Sequence, residues 1–423
     1  MQQNQPPTSP LPRDNSTTFY FIAASVLFSL FFILSLSSTT TTTTSTSSST
    51  SPDPRLFPNT RYVLNNPNSP PLPSVSSIAY FITGSSGDYS RIFRLLLSIY
   101  HPKNLYLLHL DRFAPQSDRD RLALRVSSLP VFKAARNVHV VGHADFAYPK
   151  GSSPIASLLR GASILLRLKS DWDWFINLSA KDYPLVTQDD LLHIMSYLPK
   201  DLNFVNHTGY IGWKESRRMK PIIVDPGLYL AEKTGMFYAT QKRDFPNAYQ
   251  LFSGSPTSIL NRKFVEFCVM GSDNLPRTLL MYLANTPSSL LSYIPTIVCN
   301  SPDFKESAVN HNLQYASYYT PPDENPRQLN GSDLEDMLRS GSAFATQFRH
   351  NDPTLNHIDR EILGRRRGTV VPGGWCVGDV NNTCAAWGDA EILRPGPGAK
   401  RLERRIIELL SNGTFRSQQC LIE

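Results

Sequence analysis

The fold is decided by the stretch WDWFINLSAKDYPL, residues 172–185. Its centre, from Trp174 to Leu178, is apolar, aromatic and β-branched, which predicts a buried strand. Pro184 ends that strand because proline has no N–H to give to a neighbouring strand. In open α/β sheets, ligands bind at the carboxyl ends of the strands, so Asp182 stands where such a fold does its chemistry. Aspartate is also a favoured cap for a following helix, and this stretch alone favours the capping role.

Strands alternate with helices around this stretch. The predicted strands are residues 76–84, 104–111, 138–141 and 174–178, and the predicted helices are residues 89–100, 118–129 and 157–169. This alternation predicts an α/β fold whose mostly parallel sheet is joined by right-handed crossovers. Nucleotide binding follows from that architecture only by analogy. The chain has no Walker loop, and the glycines at 84 and 87 lack the dinucleotide spacing.

The second half of the chain is predicted to continue with shorter elements. These are strands at 203–206 and 297–298 and helices at 259–270, 273–284, 334–348 and 402–410. Between them lies the basic segment Trp213–Pro221, a loop or short helix with the single carboxylate Glu215. This segment fits a site for an acidic ligand and a solvated surface equally well.

The charge balance narrows the class of ligand. The net charge is +7, although charged residues make up only 18% of the chain. Such a balance suits an anionic small ligand or a nucleic acid. The chain has no zinc-finger, basic-zipper or RNA-recognition motif, so a nucleotide or an acidic sugar is favoured.

The N-terminal region predicts a membrane anchor. Residues 18–36 carry no charge, and nineteen helical residues span roughly 28 Å, about one bilayer core. An uncleaved anchor is favoured over a signal peptide because large apolar residues continue to its end. Arg13 favours a cytosolic tail at 1–17. Residues 37–76 are rich in Ser, Thr and Pro and are expected to form a stem, with a lumenal domain at 77–423.

Glycosylation sequons and cysteines are consistent with a lumenal domain. Sequons start at Asn177, Asn206, Asn330, Asn381 and Asn412. The five cysteines match no zinc pattern, and their connectivity cannot be read from the sequence. Cys376 and Cys384 are spaced to close a small loop, and the odd number leaves at least one thiol free or intermolecular.

An acidic pair precedes the deciding strand. Asp171 and Asp173 form the Asp-x-Asp pattern with which many nucleotide-sugar transferases hold a divalent cation. The pair lies at the amino end of its strand, which is the wrong edge of the sheet for an active site. A polar lead-in to the strand is therefore favoured, and we predict no metal site.

Several blocks together resemble family 14 glycosyltransferases, in particular their plant branch of β-glucuronosyltransferase-like proteins. The blocks are DWDWFINLSAKDYPL, GWKESRRMKPIIVDPGLYL, DNLPRTLLMY, SGSAFATQFRHNDPTL, REILGRRRG and PGGWC. The resemblance covers roughly residues 77–410. It implies a GT-A-like fold, a type II anchor in the Golgi membrane, a UDP-sugar donor and inverting transfer without a metal. It also suggests complexes with other glycosyltransferases.

Carried over position by position, the resemblance implies a donor site and an acceptor site. The donor residues would be Thr83, Gly84 and Ser85 beside the nucleotide, Asp111 at the uridine, Tyr148 lining that pocket, Asp182 at the donor sugar, and Arg327 and Gln347 at the diphosphate. The acceptor would face Glu215, Arg218 and Lys220. Arg327 would replace the metal because a guanidinium grips phosphate through two parallel hydrogen bonds.

The chain departs from the family pattern at three positions. Leu291 occupies the position of the general-base glutamate, and losing such a base typically costs about 10²–10⁴ in rate. Gln347 occupies the position of a phosphate-binding lysine, with Arg349 nearby as a substitute. Pro295 stands where the plant branch usually has histidine. Glu215 and Asp182 are then the nearest candidate bases.

Two functional hypotheses follow. The first is a Golgi enzyme that moves glucuronic acid, or a related sugar, from a UDP-sugar to a β-galactan or arabinogalactan acceptor. The second is a catalytically impaired paralogue that binds glycan or donor, or that partners an active transferase. A nucleic-acid binder is disfavoured by the anchor and the stem.

Overall fold

A computed structural model describes residues 73–229, 235–319, 325–379 and 383–422. The predicted tail and anchor, and the predicted stem up to residue 72, lie outside the described residues. Within the described part, no helix is both long and apolar enough to cross a membrane.

The strands fall into one large sheet and three small ones. They are β1 (Ile78–Gly84), β2 (Leu105–Leu110), β3 (Val138–Val140), β4 (Trp174–Ser179), β5 (Tyr183–Pro184), β6 (Asn203–Phe204), β7 (His207–Thr208), β8 (Pro221–Val224), β9 (Phe237–Lys242), β10 (Ser253–Gly254), β11 (Ile259–Asn261), β12 (Ala308–Val309), β13 (Gln314–Ala316) and β14 (Phe344–Thr346). The large sheet has the order β12-β6-β11-β4-β1-β2-β3, and the small sheets pair β10 with β7, β13 with β14 and β5, and β8 with β9.

The helices cover both faces of the large sheet. They are α1 (Tyr89–Ser98), α2 (Gln116–Ser128), α3 (Pro130–Ala135), α4 (Ser153–Leu168), α5 (Gln188–Tyr197), α6 (Trp213–Met219), α7 (Arg262–Met270), α8 (Asn274–Leu283), α9 (Leu290–Asn300), α10 (Pro302–Lys305), α11 (Leu334–Arg339), α12 (Pro353–His357), α13 (Pro397–Leu410) and α14 (Asn412–Phe415). Short 3-10 turns span Pro226–Tyr229 and Gly331–Asp333, and a π-helical turn spans Ile358–Ile362.

In the parallel core of the sheet, the carboxyl ends of β1, β2 and β4 lie side by side. β1 pairs in parallel with β2 and with β4, so that Gly84 lies opposite Leu110 and Thr83 lies opposite Ser179. Only β11 runs antiparallel within this sheet, between β4 and β6. The predicted α/β fold with a mixed, mostly parallel sheet is therefore confirmed.

Alternate residues of β1 pack into two apolar cores, one on each face of the sheet. Tyr80 and Ile82 pack with α1 on one face, whereas Ala79 and Phe81 pack with α4 on the other. This alternation follows from the period of two along a strand. A sheet buried on both faces in this way is typical of a parallel α/β fold.

Three predicted elements were wrong in part or in whole. The predicted helix at 259–270 begins as the strand β11, and α7 starts only after Asn261, whose side chain accepts from the N–H of Phe264. Residues 297–298 form no strand but lie inside α9, because two β-branched residues are too few to outweigh a helix that packs its apolar face. The predicted helix at 334–348 stops at Arg339. Gly341 then takes a positive φ of 66°, and the chain continues as β14.

Two disulfides close the C-terminal part. Cys376 is bonded to Cys384, as the spacing suggested, and Cys299 is bonded to Cys420. Cys268 carries a free thiol in the described structure. The second bond fastens the C-terminal segment to the end of α9.

Candidate functional site

Asp111 follows the carboxyl end of β2, where the donor nucleotide was predicted to bind. Its Oδ1 accepts the hydroxyl of Ser85 at 2.9 Å and the N–H of Phe113 at 3.0 Å. Burial raises the pKa of Asp111 to about 6, and these hydrogen bonds oppose the shift. The structure therefore brings together Asp111 and Ser85, two of the residues predicted to contact the nucleotide.

Thr83 and Gly84 complete the strand end beside Asp111. The hydroxyl of Thr83 donates to the carbonyl of Leu178 at 3.3 Å, which ties the ends of β1 and β4 together. A Cβ on Gly84 would lie 2.7 Å from Ile92 and 2.9 Å from Asp88. The close approach of α1 therefore favours glycine where β1 turns into that helix.

Tyr148 belongs to an aromatic cluster on the same side. Its ring meets Phe113 edge-on at 5.0 Å, and Phe113 meets Phe146 at 5.1 Å. The backbone N–H of Phe113 is the one that binds Asp111, so the cluster borders the carboxylate directly. A planar base could lie against these rings while Asp111 accepts its N–H.

Asp182 follows β4 and is almost fully buried, at 3% exposure. One carboxylate oxygen accepts the N–H of Ser179 at 2.7 Å. Burial raises the pKa of Asp182, against the effect of its hydrogen bonds to Thr346 and Ser179. The capping interpretation was wrong, because the next helix, α5, is capped by Thr187 in a reciprocal box with Asp190.

Gln347 and Arg327 lie together. The Gln347 side chain donates to the carbonyl of Pro326 at 2.6 Å, one residue before Arg327, and the Gln347 carbonyl accepts the N–H of Leu329 at 2.9 Å. The Arg327 guanidinium makes a two-pronged ion pair with Asp333, which holds the pKa of that carboxyl below its usual value.

The segment 346–348, which contains Gln347, also contacts Asp182 and its neighbour Lys181. Thr346, which precedes Gln347, shares a hydrogen bond with Asp182, and the N–H of Phe348 donates to the carbonyl of Lys181 at 3.0 Å. The predicted diphosphate residues and Asp182 therefore occupy one region. Arg349 donates to Gln328 on the neighbouring segment.

Asp182 lines a small cavity together with Arg91, Arg94 and Lys181, of which Arg91 also pairs with Asp88 and Arg94 with Asp359. The cavity is lined by Ser90, Arg91, Arg94, Ala180, Lys181, Asp182, Tyr183, Phe348, Asn351 and Leu355. Arg91 also donates to the carbonyl of Phe348 at 2.9 Å. This part of the sheet edge suits an anionic group.

A buried ionic network around Asp359 lies next to this cavity and was not predicted from the sequence. Asp359 accepts from Tyr183, Arg94 and Arg365, and Arg365 contacts both of its oxygens at 3.0 and 2.8 Å. Arg365 is only 3% exposed. The block REILGRRRG was the available signal, but it does not show which of its arginines turns inward.

The predicted acceptor residues lie on α6 and just after it. A Cβ on Gly212 would lie 2.8 Å from the Tyr210 ring and 3.2 Å from a carboxylate oxygen of Glu215. Arg218 donates to the carbonyl of Ser288 at 3.2 Å and to the hydroxyl of Ser253 at 3.1 Å. Lys220 instead places its ammonium 5.4 Å from the ring of Phe245. The three side chains thus have separate surroundings, and Arg218 connects α6 to the head of α9.

Leu291 sits in the first turn of α9, half-buried. Its neighbour Ser288 donates its N–H to the carbonyl of Lys150 at 2.9 Å and offers its carbonyl to Arg218. Pro295, one turn later, lies 3.0 Å from where a Cβ on Gly254 would stand. Among the described residues, the hydrogen bonds at the head of α9 join backbone groups, the Ser289 hydroxyl and the Arg218 guanidinium.

Asp225 is a further buried carboxylate that the sequence did not single out. It accepts the N–H groups of Ser152 and Ser153 at 2.7 Å and of Gly227 at 2.8 Å. It therefore binds the amino end of α4 to the segment after β8. The Asp-Pro-Gly turn indicates only its local bond to Gly227 and not its bonds to α4.

Asp171 and Asp173 lie at the opposite edge of the sheet, where both form ion pairs with lysines. Asp173 accepts the N–H of Ser77 at 3.0 Å and pairs with Lys200 at 3.5 Å, and Asp171 pairs with Lys169 at 3.2 Å. Among the described residues, His207, Cys299 and Cys420 come close enough together to hold a metal ion. The two cysteines, however, are joined to each other.

The chain matches the family model for the Core-2/I-Branching enzyme over residues 78–338. It is 48% identical over 352 residues to the β-glucuronosyltransferase GlcAT14A of Arabidopsis thaliana, covering 82% of this chain and 79% of that protein. It is 44% identical over 347 residues to GlcAT14C of the same plant, covering 82% and 86%. A xylosyltransferase of Ciona intestinalis is 28% identical over 307 residues, covering 68% of this chain and 34% of that protein.

Among solved structures, the bifunctional glycosyltransferase WbbM overlaps partly, with a TM-score of 0.34 and 13% identity over 67% of this chain and 48% of that one. So low a score carries no weight. The family match and the identity to the plant proteins are the comparisons that carry weight. They cover the strand ends, α6 and the head of α9. The chain belongs to the Core-2/I-branching enzyme family of glycosyltransferases.

Proposed function

We propose that this protein transfers glucuronic acid from UDP-glucuronic acid to a β-galactan or arabinogalactan-type acceptor, with inversion and without a metal ion. The observation that carries the proposal is the 44–48% identity to plant β-glucuronosyltransferases over most of both chains. The arrangement of side chains at the carboxyl edge of the sheet supports it. We also propose a type II anchor in the Golgi membrane and complexes with other glycosyltransferases.

The donor would lie across the ends of β1, β2 and β4. Asp111 would accept the uracil N–H, with Thr83 to Ser85 against the ribose and Tyr148 at the rim. The diphosphate would then meet Gln347 and Arg327. A guanidinium is suited to this task because its parallel N–H groups match two phosphate oxygens.

The bound diphosphate would have to compete with Asp333 for Arg327. One guanidinium has five N–H donors and can serve both anions. Arg91 and Lys181 would add positive charge near the leaving group. In this proposal such fixed cations supply the electrostatic stabilisation that a bound metal gives elsewhere.

The acceptor hydroxyl would attack the anomeric carbon on the face opposite to the leaving diphosphate. The C–O bond to the new sugar forms while the bond to UDP breaks, and the hydroxyl proton must leave. Asp182 lies with the diphosphate residues, where it would order the donor sugar. Glu215 lies on the acceptor helix α6 and is the better candidate to take that proton.

The position of Leu291 gives a sharp test of this assignment. The full-length chain, Glu215→Gln, Leu291→Glu and the matched control Leu290→Glu are compared for transfer from UDP-glucuronic acid to a β-galactan oligosaccharide, each with and without EDTA. We expect the wild type to turn over in EDTA and Glu215→Gln to lose about 10²–10⁴ in kcat. An inert wild type that gains turnover only through Leu291→Glu would show a catalytically impaired paralogue instead.

A further inference from the structure

Two large aromatic side chains are exposed where the chain enters α6. Tyr210 is 59% exposed and Trp213 is 72% exposed. Trp213 is the first residue of α6, and Tyr210 precedes it by three residues. Large rings at such exposure commonly mark a surface that binds a ligand or a partner.

The Tyr210 ring stands beside the carboxylate of Glu215. Both approach the position that a Cβ on Gly212 would take, at 2.8 and 3.2 Å. Any side chain at residue 212 would therefore push the ring and the carboxylate away. The glycine keeps an apolar ring next to a hydrogen-bond acceptor, a combination that fits a sugar.

Trp213 is oriented by a cation on its own helix. The Arg217 guanidinium lies 5.2 Å from the centre of the indole ring, one turn further along α6. Most of the indole surface nevertheless stays open to solvent. Arg217 therefore places hydrogen-bond donors over one face of the indole.

Galactose-type sugars suit such a surface. One face of the pyranose carries C–H groups, whose slight positive charge meets the negative face of an aromatic ring. The hydroxyl groups around the ring edge need hydrogen-bond partners, and the guanidinium of Arg217 offers donors.

We propose that Tyr210 and Trp213 form a stacking subsite for a sugar unit of the acceptor chain beyond the one that reacts. The inference rests on the proposed function, because it places the acceptor along α6. It predicts that an oligomeric acceptor binds more tightly than a single galactose, because a further sugar unit can stack on the rings. The two rings adjoin Glu215 and bind the acceptor chain, but they take no part in the transfer step.

The test compares methyl β-galactoside with a β-galactohexaose as acceptors of the full-length chain. The variants are Trp213→Ala, Tyr210→Ala and the conservative Trp213→Phe, and the control is Leu124→Ala, which removes an equally exposed apolar side chain from α2. We expect Trp213→Ala to raise KM for the hexaose about 10-fold more than for the monosaccharide, equal to about 1.4 kcal/mol. Trp213→Phe should restore most of the difference, and Leu124→Ala should leave both values unchanged.

Direct titration of the hexaose onto each variant separates this inference from the proposed function. Hexaose binding that Trp213→Ala weakens about 10-fold supports the subsite even if no glucuronic acid is transferred. Equal hexaose affinity in wild type, Trp213→Ala and Tyr210→Ala overturns it even if transfer is fast. KM values for the hexaose that Trp213→Ala and Tyr210→Ala leave unchanged would overturn it as well.

Discussion

The pKa of Asp111, in the proposed donor site, is raised by burial. The direction of this shift predicts how donor binding depends on pH. Burial places its pKa at about 6. Above this pH the carboxylate is ionised and accepts the uracil N–H, whereas below it the proton removes the charge and occupies an acceptor oxygen. We expect the KM for the UDP-sugar to rise as the pH falls through 6, approaching tenfold per pH unit.

The measurement is the donor KM between pH 4.5 and 8 for wild type, Asp111→Asn and the surface control Asp118→Asn. Asp111→Asn should have a high KM that no longer changes across this range, and the control should follow the wild type. A wild-type KM that stays flat through pH 6 would exclude Asp111 from the uridine site.

At the scale of single elements, the network around Asp359 connects α1, β5 and the segment after α12. Replacing Arg365 by leucine would leave Asp359 and the Tyr183 hydroxyl buried and short of a donor, with only Arg94 left as a cation. Removing one partner of a buried pair typically costs about 3–5 kcal/mol. We expect Arg365→Leu to lower the free energy of unfolding by this amount.

Urea unfolding checks this expectation, with Arg367→Leu as the control because Arg367 is exposed. The control should change the free energy of unfolding by about 0.5 kcal/mol or less. Similar midpoints for Arg365→Leu and wild type would mean that the network adds nothing to stability.

Strongly periodic elements could be predicted from the sequence, and those set by distant partners could not. β1, β2 and α1 were predicted within a few residues because their apolar patterns have clear periods of 2 and 3.6. β11 was not, because its three residues, two of them apolar, become a strand only through pairing with β4 and β6.

The site divides in the same way. Asp111 and Asp182 were found because each follows a predicted strand, and the carboxyl ends of parallel strands meet at one edge. The buried roles of Asp225 and Arg365 depend on partners that lie far away in sequence, over 70 residues from Asp225 and 182 residues from Arg365. No local pattern reports such a pairing.

At the scale of the whole molecule, the two disulfides close loops of very different length. Cys299 and Cys420 are separated by 121 positions, and Cys376 and Cys384 by 8. In the chain-entropy model, a longer closed loop restricts the unfolded chain more, which gives about 5 kcal/mol for the Cys299–Cys420 bond and about 2.5 kcal/mol for the Cys376–Cys384 bond. We therefore expect Cys299→Ser/Cys420→Ser to lower stability more than Cys376→Ser/Cys384→Ser.

Urea unfolding of the two double variants under oxidising conditions makes this comparison. The Cys299–Cys420 bond also holds the end of α9, the helix that carries Leu291, so its loss should lower kcat as well as stability. Equal stabilities of the two variants would contradict the assignment of the larger effect to the longer loop.

The central claim is the transfer of glucuronic acid, and the most direct measurement is product analysis by mass spectrometry. The full-length chain is incubated with β-galactohexaose and either UDP-glucuronic acid or UDP-N-acetylglucosamine, in the presence of EDTA. Our account predicts a hexaose carrying glucuronic acid and little product from the second donor. Transfer of N-acetylglucosamine alone, or no product from either donor, would contradict it.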